Sequence, residues 1–160
     1  MLTNIITKAW FLWFCFIATL LIGASFGLVT GHWEFQLLDA ISAPDVISST
    51  LAGYSPGQKE VHIWTTLTLD VAYPLTYGGL FAGLALRAFR GAGKWLSIPA
   101  FATILVDLIE GITQVAMLVG AEGLIALKSA LTVMKFGFFG VSFLIAIAAL
   151  AVLLRRRFKP

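Results

Sequence analysis

The chain has 160 residues, of which 59% are hydrophobic and only 12% charged, with a formal net charge of +3. Its mean hydropathy is +0.94, whereas soluble domains carry about 25% charged residues. Composition therefore excludes an ordinary soluble globule and points to an all-α integral membrane protein, a single domain of a few spanning helices. The positive charge does not imply nucleic acid, because the basic residues sit beside the apolar runs, and the single cysteine, Cys15, excludes an intrachain disulfide.

The first predicted span covers residues 10–30, enough to cross ~30 Å of hydrocarbon at ~1.5 Å per residue. A signal peptide is the rival reading, with Lys8 as its basic flank and Gly23-Ala24-Ser25 as a loose cleavage site. Signal cores are usually only ~7–15 residues long, which favours the span. Gly23, Gly27 and Gly31 recur every four residues and predict a flat face for close helix packing.

Residues 31–62 form the one long connection. Leu37, Leu38, Ile41, Val46, Ile47 and Leu51 alternate with Glu34, Asp39, Asp45, Ser48 and Ser49, too apolar for a solvated loop. One or two short amphipathic helices broken near Ala43-Pro44 fit this pattern. Interfacial anchoring is the simpler role for them, and a cover over one mouth of the bundle is the alternative.

The second span, residues 62–87, has a readable start: Ser55 as N-cap, Pro56 at N1 and Gln58 at N3 make a capping box. The helix should run on to about Phe89, so its first turns project beyond the membrane. Inside it, Thr66, Asp70, Tyr73 and Tyr77 are spaced four, three and four apart and share one face. Pro74 removes the hydrogen bond to the carbonyl four residues back, which is that of Asp70. A kink, a freed carbonyl and a carboxylate thus coincide. A charge at membrane depth costs at least a few kcal/mol unless paired, protonated or wetted, which marks Asp70 as a site residue. The plainer reading is a structural kink with a protonated, hydrogen-bonded acid. Gly79 and Gly83 allow close approach further along.

Arg87, Arg90 and Lys94 form a basic turn before the third span, residues 98–119. Thr103, Asp107, Glu110 and Gln114 again run four, three and four apart, and two carboxylates on one stripe should face the interior. A turn at residues 120–123 leads to the last span, residues 131–154. Its helix carries a stripe of Lys128, Thr132, Lys135 and Ser142, with Gly137 and Gly140 thinning the face.

Lys8, the Arg87–Lys94 turn and the Arg155–Lys159 tail hold eight of the eleven basic residues, and four spans put them all on one side. The other side holds Glu34, Asp39, Asp45, Glu60 and Glu122. The positive-inside rule then places both termini in the cytoplasm of a cell whose inner membrane the chain crosses. Trp10, Trp13 and Trp95 fall near the inner interface, and Trp33 and Trp64 near the outer one. From the inner helix ends, Asp70 lies roughly 24 Å up, Glu110 roughly 20 Å, Asp107 roughly 16 Å and Lys135 roughly 28 Å. Three acids and one lysine in one interior carry −2 if all are ionised. Raised carboxyl pKa values, a bound cation or cationic ligand, or water must relieve that. Lys135 is expected to pair with Asp70 or Glu110.

No phosphate loop, nucleophile elbow, haem motif or zinc spacing is present, and the sequence leaves any cofactor unknown. His32 and His62 with Glu34 or Glu60 lack metal-site spacing and read as interfacial polar residues. The expected site comprises Asp70, Tyr73, Tyr77, Asp107, Glu110, Gln114 and Lys135, binding a small apolar or lipid-like ligand. One protonated and one ionised carboxyl, with Tyr73 and Tyr77 as donors, are also equipped for acid–base chemistry on such a ligand. The alternatives are an accessory subunit docked on a membrane-protein partner through its glycine faces, and a proton- or cation-coupled transporter acting as a homo-oligomer.

Leu69-Asp70-x-x-Tyr73-Pro74-x-x-Tyr77-Gly78 followed by Asp107-x-x-Glu110 resembles a group of small bacterial four-helix membrane proteins with no assigned activity. The resemblance covers residues 62–154; that group's pattern has Asn after the glutamate, where this chain has Gly111. Four helices, a long outer first connection, buried carboxylates, and Lys94-Trp95 followed by Pro99-Ala100 also resemble the EXPERA group, which includes sterol isomerases and sigma-2-type receptors. That second resemblance implies a carboxylate-lined cavity for sterol-like or amine-bearing apolar molecules, and it transfers no catalytic residue.

Overall fold

The apolar runs become helices because a backbone amide in apolar surroundings must find its partner within the segment. The computed structural model describes residues 5–158, without the side chain of Glu122; Lys159 of the basic tail lies outside the described residues. The first helix, α1, is Ala9–Trp33. A 3₁₀ turn, Leu38–Ala40, and helix α2, Pro44–Gly53, occupy the long connection. Helix α3 runs Pro56–Ala88, α4 is Ile98–Leu118 and α5 is Ile125–Arg157. Four stretches, Ala9–Trp33, Pro56–Ala88, Arg90–Leu118 and Ile125–Arg157, are long and apolar enough to cross a membrane. No strand occurs among the described residues.

The predicted cap of α3 is present. The Gln58 amide donates to Ser55 Oγ at 3.2 Å, and the Ser55 amide donates to Gln58 Oε1 at 3.0 Å. The Gln58 side chain also donates to the carbonyls of Trp33 and Glu34, tying the start of α3 to the end of α1. Within α3, residues Thr66–Asp70 form a π-helical turn just before Val71. Pro74 supplies no N–H to the carbonyl of Asp70, so the helix is loosened where the wider turn occurs.

Helices α3, α4 and α5 pack on one another, whereas α1 leans on α3 and does not close against α5. Half of the apolar stretch of the third spanning segment is buried (50%), against 11% for α1. The centre of the molecule is therefore α4, and α1 is a flank. Two apolar clusters bracket a polar layer. At one end Leu38, Ile41, Ile47 and Leu51 of the connection bury against Met117 and Leu118. At the other, Tyr77, Phe81, Ala82, Ala100 and Ala146 pack together. The connection is thus a cover over one end of the helices, not a mere anchor: Leu38, Ile47 and Leu51 are all buried.

Glycine packing differs from expectation along the chain. At Gly83 an added Cβ would lie 2.4 Å from the Ile6 carbonyl oxygen and 2.7 Å from Leu12 Cδ2, so α1 crosses α3 there. Gly23 meets the Tyr73 ring. Gly27, Gly31, Gly137 and Gly140 face nothing within 4 Å among the described residues, because the surfaces carrying them are turned away from the other helices. Replacing Gly83 by Val should overpack this crossing by about 1–3 kcal/mol and lower the unfolding midpoint in detergent, whereas Gly27→Val should leave it unchanged; thermal unfolding followed by circular dichroism reads both.

Candidate functional site

The polar stripes of α3, α4 and α5 converge between the two apolar clusters. Glu110 of α4 is fully buried and lies between two ammonium groups. Lys128 Nζ is 3.3 Å from Glu110 Oε1, and Lys135 Nζ is 2.6 Å from Oε2. The Thr132 hydroxyl donates to Glu110 Oε1 at 2.6 Å. Lys128, Thr132 and Lys135 follow one another at spacings of four and three on α5, which puts them on one face opposite Glu110. Lys135 also reaches Asp107 Oδ1 at 3.2 Å, and the Tyr77 hydroxyl donates to Asp107 Oδ2 at 2.5 Å. Asp107 Oδ1 and Glu110 Oε2 accept no well-aligned hydrogen bond. Both lie against the Lys135 ammonium, and a contact at 2.6 Å to a charged donor meets the need of the glutamate oxygen.

The cover is fastened to this network from above. Lys128 donates to the carbonyl oxygens of Leu38 and Ile41, so one ammonium group holds Glu110 and the connection together. The Leu38 amide donates to His62 Nε2 at 3.1 Å. His62 Nδ1 therefore carries the ring proton and donates to Thr66 Oγ1 at 3.1 Å. Gln114 Nε2 donates to Asp39 Oδ1 at 2.9 Å. These contacts bring Asp39, a residue of the connection, into hydrogen-bonding range of Asp70 on α3.

Two carboxyl groups can share a hydrogen bond only if one is protonated. Burial works against ionising Asp39, but attraction to Lys135 and the hydrogen bond from Gln114 outweigh it and hold Asp39 below the ordinary carboxylate range. A proton held between the two would therefore rest on the Asp70 side. Four acids (Asp39, Asp70, Asp107, Glu110) against two lysines (Lys128, Lys135) give a formal −2, which one shared proton would reduce to −1. Asp39 and Asp70 have no ion-pair partner within 4 Å among the described residues, and the residual charge sits with them.

This pair forms part of the wall of a cavity of about 250 Å³. Asp39, Asp70, Asp107 and Lys135 provide its charged groups. Phe26 of α1, Tyr73 and Tyr77 of α3, and Phe136 and Phe139 of α5 provide five rings. The rings pack edge to face: Tyr73 and Tyr77 centroids are 5.2 Å apart, as are those of Tyr77 and Phe139. Leu37, Asp39 and Ala40 form the side nearest the cover.

Of the expected site residues, Asp70, Tyr73, Tyr77, Asp107 and Lys135 line the cavity. Glu110 and Gln114 stand behind it and act on its members, Glu110 by fixing Lys135 and Gln114 by fixing Asp39. Lys135 takes Glu110, as one expected alternative had it, and adds Asp107; Asp70 turns to Asp39 instead. Sequence reasoning placed Asp39 in an interfacial helix and kept Lys128 out of the site. The available signals were an acid between Leu37-Leu38 and Ala40-Ile41, and a lysine seven residues before Lys135 on the same face. Ser142 donates to the carbonyl of Phe139 on its own helix and takes no part. His32 is exposed, and no group of three or more His, Cys, Asp or Glu able to hold a metal ion occurs among the described residues.

Comparison with protein-family models, curated proteins and solved structures gives no match for this chain.

Removing one partner from a buried ion pair usually costs about 3–5 kcal/mol, because the other charge is stranded. Lys135→Met should destabilise the protein by roughly that amount, because Asp107 has no other ammonium partner among the described residues while Glu110 keeps Lys128, and adding Asp107→Asn should restore much of it. Denaturant unfolding of the single and double variants in one detergent checks this.

Proposed function

We propose that this is a multi-pass protein of the cytoplasmic membrane, with both termini in the cytoplasm, that binds a small apolar or lipid-like ligand in the acidic, aromatic cavity. The observation carrying this reading is the wall itself. Five aromatic rings would take an apolar body, and the Asp39–Asp70 pair gives one end of the cavity an uncompensated negative charge. Ligand pockets commonly combine such apolar linings with a few polar groups that fix orientation. The residual charge favours a head that donates hydrogen bonds and disfavours an anionic head. Asp39, Asp70, Tyr73, Tyr77, Asp107 and Lys135 would touch the ligand, and Glu110 and Gln114 would position them.

The cavity lies between α1 and α5, which do not close on each other, and Phe136 on its wall is half exposed. A ligand dissolved in the bilayer would therefore reach it sideways. Membrane insertion draws its support from the four long apolar helices. Orientation draws its support from the clustering of Lys8, Arg87, Arg90, Lys94 and Arg155–Arg157 at one end, where Arg87 donates to the carbonyl of Thr7. The same groups would support acid–base chemistry, with Asp70 as the proton-bearing acid and Asp39 as the ionised base.

A second reading, an accessory subunit or a homo-oligomer, draws on the open faces of α1 and α5, where Gly27, Gly31, Gly137 and Gly140 have no partner among the described residues. Native mass spectrometry of protein released gently from its own membrane separates the two. The ligand reading expects a bound small molecule on the wild type that is lost in Asp70→Asn. A chain carrying only a protein partner, or a small molecule held equally by the variant, contradicts it.

A further inference from the structure

A second cavity, of about 190 Å³, lies between α3 and α4. Asp70 and Asp107 are the two residues that line both cavities, so the acids form the partition between them. Thr66, Leu67 and Val71 of α3 and Leu108, Gly111 and Ile112 of α4 also line it. Two features create the space. The π turn Thr66–Asp70 widens α3 beside α4. Gly111 has no side chain where a Cβ would lie 3.3 Å from Thr66 Cγ2 and 3.5 Å from Asp70 Oδ2.

The depth and chemistry of this pocket differ from those of the aromatic cavity. Trp64, largely exposed and expected at the outer membrane interface, precedes Thr66 by two residues, or about 3 Å along the helix axis. The pocket thus begins just beneath the headgroups. Thr66 turns its methyl to Gly111 and its hydroxyl to His62, so the polar partners the pocket offers are the carboxyls of Asp70, whose Oδ2 lies 3.5 Å from the Gly111 Cβ position, and Asp107. A buried water typically makes about three hydrogen bonds and needs only about 10–15 Å³ of such volume, so several waters fit.

We propose that this pocket is a hydrated proton inlet: the proton shared by Asp39 and Asp70 exchanges with the outer aqueous phase through it, and not through the ligand cavity. In each exchange the O–H bond of the Asp70 carboxyl breaks as a pocket water takes the proton, and a proton from that water chain returns to the carboxylate. No electrons change hands. The titratable groups facing the Asp39–Asp70 pair are His62 and Tyr77 on α3, Asp107 on α4, and Lys128 and Lys135 on α5; only Asp107 among them also lines the pocket. The inlet rests on the ligand-binding reading for its purpose, since it lets the pair gain or lose a proton while the front cavity is occupied. The exchange itself needs no ligand.

Infrared spectroscopy of the full chain in detergent, transferred rapidly into D₂O, tests the inlet. The carbonyl stretch of the protonated carboxyl, assigned by its loss in Asp70→Asn, shifts as its proton is replaced. Gly111→Val is expected to slow that shift by an order of magnitude, with Gly111→Ala intermediate, while Phe136→Trp in the ligand cavity leaves the rate as in the wild type. Gly111→Ala adds one tight contact to the Thr66 methyl and keeps the test valid if the valine variant folds poorly. Exchange at the wild-type rate in both Gly111 variants, or slowing only in Phe136→Trp, overturns the inlet. Native mass spectrometry of the same variants keeps the two proposals apart, because filling the back pocket should not dislodge cargo from the front.

Discussion

Glu110 carries a carboxylate into the centre of the helix packing, and the surrounding interior is arranged around keeping it there. Moving an ion from water into apolar surroundings costs several kcal/mol even after relaxation. Two lysines and a hydroxyl on one face of α5 offset that cost. Each lysine then has bonding capacity left over. Lys135 directs it to Asp107, which lies on the cavity wall. Lys128 directs it to the carbonyls of Leu38 and Ile41, which belong to the connection. The electrostatics of one glutamate therefore fix both the floor of the cavity and its cover.

That arrangement also explains why Asp39 stands against Asp70. Once Lys128 and His62 hold Leu38 in place, the next residue is directed inward, and Gln114 takes one of its oxygens. The acid pair is thus imposed by the backbone of the cover and not by a cation between the two groups. Both acids face a ring-lined space on one side, and Asp70 also faces the pocket beside the π turn on the other. The loosening of α3 ahead of Pro74 makes this second approach available.

Much of the framework was legible in the sequence because it depends on local pattern. The Ser55–Gln58 capping box, the four-three-four stripe of Thr103, Asp107, Glu110 and Gln114, and the length of the apolar runs are all properties of short windows. Asp39 was not legible in this way. Its position depends on how the connection between α1 and α3, residues 34–55, folds back over the helix ends, and that fold is set by buried contacts to His62 and Lys128 further along the chain. The π turn also escaped. A regular helix puts Thr66, Asp70, Tyr73 and Tyr77 on one face, but the wider turn splits them, so that Thr66 lines the rear pocket, Tyr73 and Tyr77 the aromatic cavity, and Asp70 both. The repeated glycines failed as a packing signal within the chain, since spacing shows that a face is thin and not what lies against it.

Lys128 joins the cover to the buried glutamate, and the cavity depends on that joint. Hydrogen–deuterium exchange of the Leu38 and Ile41 region in wild type and Lys128→Met tests it most directly, with Lys59→Met as a control on the exposed start of α3. Protection across residues 37–42 should fall sharply in Lys128→Met while the middle of α4 stays protected, and Lys59→Met should behave as wild type. Unchanged protection of residues 37–42 in Lys128→Met would contradict the joint.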